Sequence, residues 1–447
     1  MFKNSFLYFL GFALLFAGCE KKADNVFEQT TDERLEAVLN AYQQALYSAT
    51  YGWKVIVYPK GLQSENLEVG GFSYYMRFSN DNRVTMLSDF DITTASTPKE
   101  SGYRLKAVQR PSIYFDTYSY LHIPADPTAS ISRSPSSSEG SGWGTDFDFA
   151  FTEKTPGDTI RLKGNFNGSD AVMIKATKEE AEAFGSGQLA ASLTQLQNLN
   201  QIGYFKKLTI GSQQYYININ SATKTIAFTR LDAGGNEQTF TSGYYSTLQG
   251  INLTQPFDDG TQVIRSINWV TWNAGSTTMT VSVGDNNGTI SNAGKPLKVD
   301  VEAPRRWWQY AMDKDAYWFT VNGFTINGVP DAYNIRSIPN FYYLIFWPAF
   351  GNSGGITYDL LGYVTVSNNA LNLDFGSAFA PPTFTPDGRI IFRFLGTLGN
   401  VPPDYASVVN NTRITMSSPD GFYLIQTGPL QYDMVSKDGK AWMTWQY

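Results

Sequence analysis

From residue 53 onward the chain consists mostly of short runs rich in aromatic and β-branched residues, each stopped by Gly, Asn, Asp or Pro. Such runs suit half-buried strands joined by tight turns better than helices that bury one face. The spacing predicts strands over residues 53–58, 72–78, 84–87, 103–108, 146–151, 159–163 and 172–176, with residues 79–82 and 165–169 supplying the turn chemistry. Further strands are expected over 205–210, 215–219, 225–230, 238–245, 263–272 and 278–283. A last set is expected over 318–321, 341–347, 358–366, 390–395, 422–426 and 441–445. The expected fold class is mainly β: antiparallel meander or barrel-like sheets with an N-terminal amphipathic helix and a second β region.

Helical signals are few. Thr30-Thr31-Asp32-Glu33 fits a capping box, and Leu35, Val38, Leu39, Tyr42 and Leu46 follow at helical spacing along one face. Residues 178–199 form a second helical stretch, weakened at Gly185 and Gly187, and residues 306–312 make one or two further turns. The turn-rich sequence around 285–296 suggests a boundary near Val301. The expected organisation is a helix plus β domain over 31–300, which the stretch at 178–200 can divide into two modules, and a C-terminal β domain over 301–447. No repeat of fixed short period is visible, which argues against a solenoid or propeller.

Ahead of the helix, Lys3 and the apolar run 6–16 make a signal segment too short to span a bilayer as a stable helix. Phe16-Ala17-Gly18-Cys19 resembles a bacterial lipobox, with Phe where Leu is commoner. That resemblance implies cleavage of residues 1–18, lipidation of Cys19 and a polar tether over 19–30. Acyl chains anchor stably at roughly 0.8 kcal/mol per buried methylene. Cys19 is the only cysteine, so disulfides, thiolate metal sites and cysteine nucleophiles are excluded. A net charge of −6 argues against nucleic acid as a partner and against a basic membrane-binding patch.

No motif identifies a reaction. Gly351-Asn352-Ser353-Gly354-Gly355 fits a nucleophile pattern, but the single histidine, His122, is far away in sequence, and the following residues read as a strand where a hydrolase elbow opens a helix. A glycine-rich turn is the simpler reading. One histidine and one acylated cysteine leave too few ligands for zinc, and the Asp/Asn clusters at 258–259 and 285–287 lack EF-hand spacing and read as hairpin turns. Residues 140–144 (Gly-Ser-Gly-Trp-Gly) lack the flanks of a nucleotide loop. Asp146 and Asp148 are expected to share one face of a strand, solvated rather than catalytic. No cofactor is expected. The remaining candidates are aromatic: Trp307, Trp308 and Trp347, with Trp269, Tyr342 and Tyr343, offer flat apolar faces to sugars or other amphipathic ligands.

Several stretches together resemble a family of Bacteroidota lipoproteins of unknown function, domain of unknown function 4302. They are Thr31-Asp32-Glu33-Arg34-Leu35, Gly52-Trp53, Tyr58-Pro59, Gly70-Gly71-Phe72, Phe115-Asp116-Thr117-Tyr118, Leu121-His122, Asp126-Pro127, Thr145-Asp146-Phe147 and Leu162-Lys163-Gly164. The match is good from Cys19 to about Ala176 and vaguer beyond. It implies an outer-membrane lipoprotein, often encoded near starch-utilisation-type transporter loci, and it transfers no catalytic residue. His122 is expected to fix a loop by side-chain hydrogen bonds. The expected function is non-enzymatic: an accessory anchored to the outer membrane, with surface display favoured, that captures a glycan or peptide for uptake. The alternatives are a structural subunit of an outer-membrane transporter complex and a surface hydrolase using paired carboxylates.

Overall fold

The computed structural model describes residues 30–60, 68–107, 110–134 and 142–447. The signal segment, Cys19 and most of the tether lie outside the described residues, as do residues 140–141 of the Gly-Ser-Gly-Trp-Gly segment.

The chain repeats one plan three times: a helical segment, then an up-and-down antiparallel sheet. Helix Thr31–Ser48 opens the first unit, and its capping box forms as the sequence predicts, with the Thr30 N–H donating to Glu33 Oε2 (2.7 Å) and the Glu33 N–H donating to Thr30 Oγ1 (3.2 Å). Strands β1 (Trp53–Tyr58), β2 (Phe72–Phe78), β3 (Arg83–Ser88), β4 (Lys99–Ala107), β5 (Pro111–Phe115), β6 (Asp148–Phe151), β7 (Thr159–Gly164) and β8 (Asp170–Lys175) close into a barrel through β1–β8 pairing. The helix caps this barrel. Its Tyr42 and Leu46 are fully buried, and the Tyr42 ring stacks on Phe151 at 3.7 Å. The interior is filled by side chains that alternate inward, among them Trp53, Tyr74 and Phe149, as expected for eight strands.

Helices Lys178–Gly185 and Gln188–Asn198 come next, broken at Gly187, whose φ of 82° only glycine adopts at little cost. They lead into a second closed barrel: β9 (Lys206–Ile210), β10 (Gln213–Asn220), β11 (Thr225–Leu231), β12 (Glu237–Ser246), β13 (Gly250–Asp258), β14 (Val263–Asn273), β15 (Thr278–Val283) and β16 (Asn286–Asn292), with β16 returning to β9. Helix Ala303–Asp313, longer than the one or two turns expected, opens the third unit. Its sheet comprises β17 (Trp318–Thr320), β18 (Thr325–Ile326), β19 (Phe341–Ser353), β20 (Ile356–Ser367), β21 (Ala370–Phe384), β22 (Arg389–Gly399), β23 (Phe422–Gly428), β24 (Gln431–Ser436) and β25 (Ala441–Gln446). Phe319 of β17 pairs with Gln446 of β25, so this sheet also returns on itself. The first and third units share a detail: the leading Trp of each first strand donates its indole N–H to a carbonyl of the preceding helix. Trp53 reaches Leu46 (3.0 Å), and Trp318 reaches Trp307 (2.8 Å).

The strands the sequence pattern leaves out are β5, β13, β16, β18, β21 and β24. Four of them carry a disguise. β5 opens on Pro111, β13 holds Pro256 inside a register shift, β16 begins Asn-Asn-Gly, and β21 carries Gly376 and, inside a register shift, Pro381 and Pro382. Irregular pairing tolerates these residues where regular central strands do not. The Gly351–Gly355 segment is the β19–β20 hairpin, as its turn reading predicts, with Gly354 and Gly355 at positive φ.

Candidate functional site

His122, Asp146 and Asp148 each have a structural task. His122 Nδ1 accepts the Ser119 N–H (3.1 Å), which puts the ring proton on Nε2, facing the Phe115 carbonyl (3.2 Å). Burial lowers its pKa and keeps the imidazole neutral. Asp146 does not share a strand face with Asp148. The strand begins at Asp148, and Asp146 is buried in the preceding loop, where it accepts N–H groups of Phe166 (2.9 Å), Asn167 (2.8 Å) and Ser169 (3.0 Å). It fastens the β7–β8 hairpin, while Asp148 pairs with Lys106 at 2.7 Å.

The three tryptophans part company. Trp307 is wholly buried in the third core, stacked on Trp318 and Phe346, and has no face to offer a ligand. The sequence expectation for it is corrected by helix phase: one of two adjacent helical residues turns to the core. Trp308 is half-buried and donates its indole N–H to Asp359 Oδ2 (2.7 Å). Trp347 lies half-buried on the outer face of β19, since its neighbours Leu344 and Phe346 face the core.

Around Trp347 the outer face is continuously aromatic. Ring centroids run Phe319–Tyr343 (5.7 Å), Tyr343–Tyr317 (6.2 Å), Tyr317–Trp347 (5.2 Å), Trp347–Phe350 (5.4 Å) and Phe350–Tyr358 (6.1 Å). Tyr342, 54% exposed, flanks Tyr343 at 5.0 Å. Successive rings are inclined by 30° to 71°, so they form a stepped strip rather than a flat one. The Tyr317 and Tyr343 hydroxyls meet at 3.2 Å, and burial pushes the Tyr343 phenol up to about 12.

Two irregularities of β19 build this strip. An extra residue at Tyr342 shifts the register between Phe341 and Tyr343, and a wider bulge between Trp347 and Gly351 contains Ala349 at φ 51°. A fully buried carboxylate holds the second bulge: Asp359 Oδ1 accepts the Ala349 N–H (2.8 Å), while Oδ2 takes the Trp308 indole. Burial raises the Asp359 pKa to about 6. Trp308 and Trp347 thus approach the same bulge, one as a brace and one as surface. Sequence reasoning missed Tyr317, Phe319, Phe350, Tyr358 and Asp359, and the aromatic density of residues 341–358 hinted only at Phe350 and Tyr358.

A second feature lies where the three units meet, a cleft of about 880 Å³. Phe72, Asp89 and Arg133 line it from the first unit, Lys206, Lys224 and Tyr244 from the second, and Asn327–Val329 from the third. Lys224 is buried against Asp89 and also donates to the Gly71 carbonyl at 3.2 Å. Arg133 pairs with Asp91 at 2.9 Å. Lys206 donates only to the Gly203 carbonyl (2.7 Å) among the described residues, and burial lowers its pKa to about 8. Nothing in the sequence pattern had marked Lys206 or Lys224.

Among the described residues no group of three or more His, Cys, Asp and Glu side chains gathers as a metal site, and no helix is long and apolar enough to cross a membrane. No curated protein matches the chain. Among solved structures, a DNA polymerase III subunit beta sliding clamp from Bartonella birtlesii LL-WM9 aligns at 8% identity over 92% of this chain and 97% of that one, with a TM-score of 0.16. That likeness is too slight to bear on fold or function. A family model matches residues 23–273, more than half of the chain, across the first barrel and the second as far as β14. On that match the chain belongs to the family described as Domain of unknown function (DUF4302).

Proposed function

We propose that this protein is a non-catalytic capture protein, lipid-anchored through Cys19 to the outer membrane of a member of the Bacteroidota, that holds a nutrient glycan for a neighbouring transporter. The observation that supports this reading best is the strip from Phe319 to Tyr358. Aromatic faces attract the C–H-rich faces of sugar rings while hydroxyls remain free to bond water or protein. No charged side chain belongs to the strip, which favours a neutral glycan over a peptide. Surface display is the orientation that gives the strip access to a polymer. The signal segment and lipobox supply the address, and the chemistry of a lipid anchor agrees with a binding role beside a membrane transporter.

Affinity electrophoresis of the soluble chain from Asp24 onward, in gels containing neutral polysaccharides, tests the reading, with product analysis of the same mixtures. Retardation by at least one polymer without cleavage products is expected, and Trp347→Ala weakens it tenfold or more while leaving the fold intact by circular dichroism. Cleavage lost on single Asp or Glu substitution moves the protein to the hydrolase class. Indifference to every polymer, together with stoichiometric co-purification of a transporter, moves the strip to a protein interface.

A further inference from the structure

The cleft between the three units is a separate site, and its charges do not balance. Among the described residues its lining holds two carboxylates, Asp89 and Asp91, and three cations, Arg133, Lys206 and Lys224. Asp89 is taken by Lys224, and Asp91 by Arg133. Among the described lining residues Lys206 is left over as a positive charge without a carboxylate partner, inside a chain whose net charge is −6.

Its position follows from the strand. Leu208 and Ile210 of β9 point into the second barrel, so alternation turns Lys206 inward as well, at the end of the barrel where the strand begins. Its partners across the sheet are Ile217 and Asn292. An ammonium group there is partly desolvated and holds one carbonyl, which leaves two of its three N–H donors for another acceptor. Close by, the same cleft is apolar: Leu193, Leu196, Leu199, Ile219, Phe72 and Trp143 contribute to its wall. Ligand sites favour such places, concave, at the junction of domains and at the mouths of barrels, mostly apolar with a few fixed polar groups.

We infer that this cleft binds a small organic carboxylate, its anionic head on Lys206 and its apolar body against the leucines of the helix and 3₁₀ turn over residues 188–202. The Lys224–Asp89 pair does not compete for the head, because each already satisfies the other. A bound carboxylate stabilises the protonated amine, so binding raises the Lys206 pKa above its free value of about 8 and takes up a proton as the pH passes that value. The site and the aromatic strip are made of different residues, and each can fail alone.

The probe is 4-phenylbutyrate, compared by isothermal titration calorimetry with 4-phenylbutyramide, on the chain from Asp24 onward at pH 7. The carboxylate is expected to bind at least tenfold more tightly than the amide, and this preference shrinks between pH 8 and pH 10. Lys206→Met removes the preference and Lys206→Arg keeps it, while Trp347→Ala changes neither. Polysaccharide retardation is expected to survive Lys206→Met, so loss of one activity does not report on the other. Equal binding of the two probes, no binding of either, or a preference that persists in a folded Lys206→Met variant would overturn the proposal.

Discussion

The second unit touches its two neighbours through different chemistry. Where the second barrel meets the first, the contact is polar and backbone-led: the Gly71 N–H donates to the Tyr244 carbonyl (3.0 Å), the Gly70 N–H to the Thr223 carbonyl (2.9 Å) and the Ser73 hydroxyl to the Ser246 carbonyl (2.8 Å), around the buried Lys224–Asp89 pair, while the helix ahead of that barrel stacks Phe184 on Tyr75 at 4.4 Å. Against the third unit aromatic rings lead: Phe205 meets Tyr423 edge-on at 6.1 Å, and Tyr204 meets Trp442 at 5.8 Å, over the fully buried Val435, with the Tyr204 N–H donating to the Gly439 carbonyl (2.7 Å) at the edge. Glycine explains the first seam. A Cβ on Gly70 would stand 2.1 Å from the Tyr244 carbonyl oxygen, so only a residue without one lets the two backbones approach. Once the backbones are that close, a charged pair sealed between them has little water to return to. The aromatic seam has its own close approach, a Cβ on Gly203 standing 2.8 Å from the Gly439 carbonyl oxygen, but it seals no charged pair, and ring area supplies more of its strength.

The contrast breaks most sharply at Asp89. This carboxylate accepts the Ser73 N–H (2.9 Å) and the Ser246 N–H (3.1 Å) besides the Lys224 ammonium, so it gathers donors from both units. Asp89→Ala strands a buried ammonium and two amides, and is expected to lower stability by about 3–5 kcal/mol. Lys224→Met leaves the carboxylate with both amides and is expected to be distinctly milder. The double variant does not recover wild-type stability, because the two amides still lack their acceptor. Urea unfolding of the four proteins checks this, and equal losses from the two single variants would refute the hub role of Asp89.

Phe205→Ala tests the other seam. Deleting a phenyl group that is 6% exposed between Tyr423 and Val435 is expected to cost about 3 kcal/mol, since lost burial and the remaining cavity add. The effect on the urea midpoint is expected to be the same at low and high salt, which an area-driven contact requires. A salt-dependent loss would mean that the aromatic seam leans on its charges after all.

How far these features could be read in the sequence depended on how regular they are. Strands with clean alternation, such as Thr278–Val283, announced themselves, as did the capping box at Thr30, while Gly187 showed only as a weak point in one helical stretch. Strands β13 and β21 did not, because bulges and prolines blur their period of two. The aromatic strip was half legible. Tyr342, Tyr343 and Trp347 stood out as residue types, but the bulges that bring Phe350 and Tyr358 beside them depend on Asp359, an acid far less conspicuous than the rings it positions. Trp307 and Trp308 show the limit of composition most plainly: adjacent and identical, they were separated by helix phase alone into a core residue and a brace. The cleft lysines were invisible, since Lys206 and Lys224 owe their setting to contacts between units that no local pattern encodes.

The finest test of the comparison is Tyr204→Phe. The ring keeps its contacts with Phe205 at 5.1 Å and Trp442, so the aromatic part of the seam survives and only the hydroxyl is lost. That hydroxyl donates to Asp433 Oδ2 at 2.7 Å, and Asp433 retains a second donor in Thr444 Oγ1 at 2.6 Å. A half-buried carboxylate with one partner left and access to water is not stranded as Lys224 would be. The expected loss is therefore about 1 kcal/mol, the net worth of an ordinary hydrogen bond. A loss equal to that of Phe205→Ala would place the strength of the second seam in its polar contact, and the two seams would then differ in appearance but not in kind.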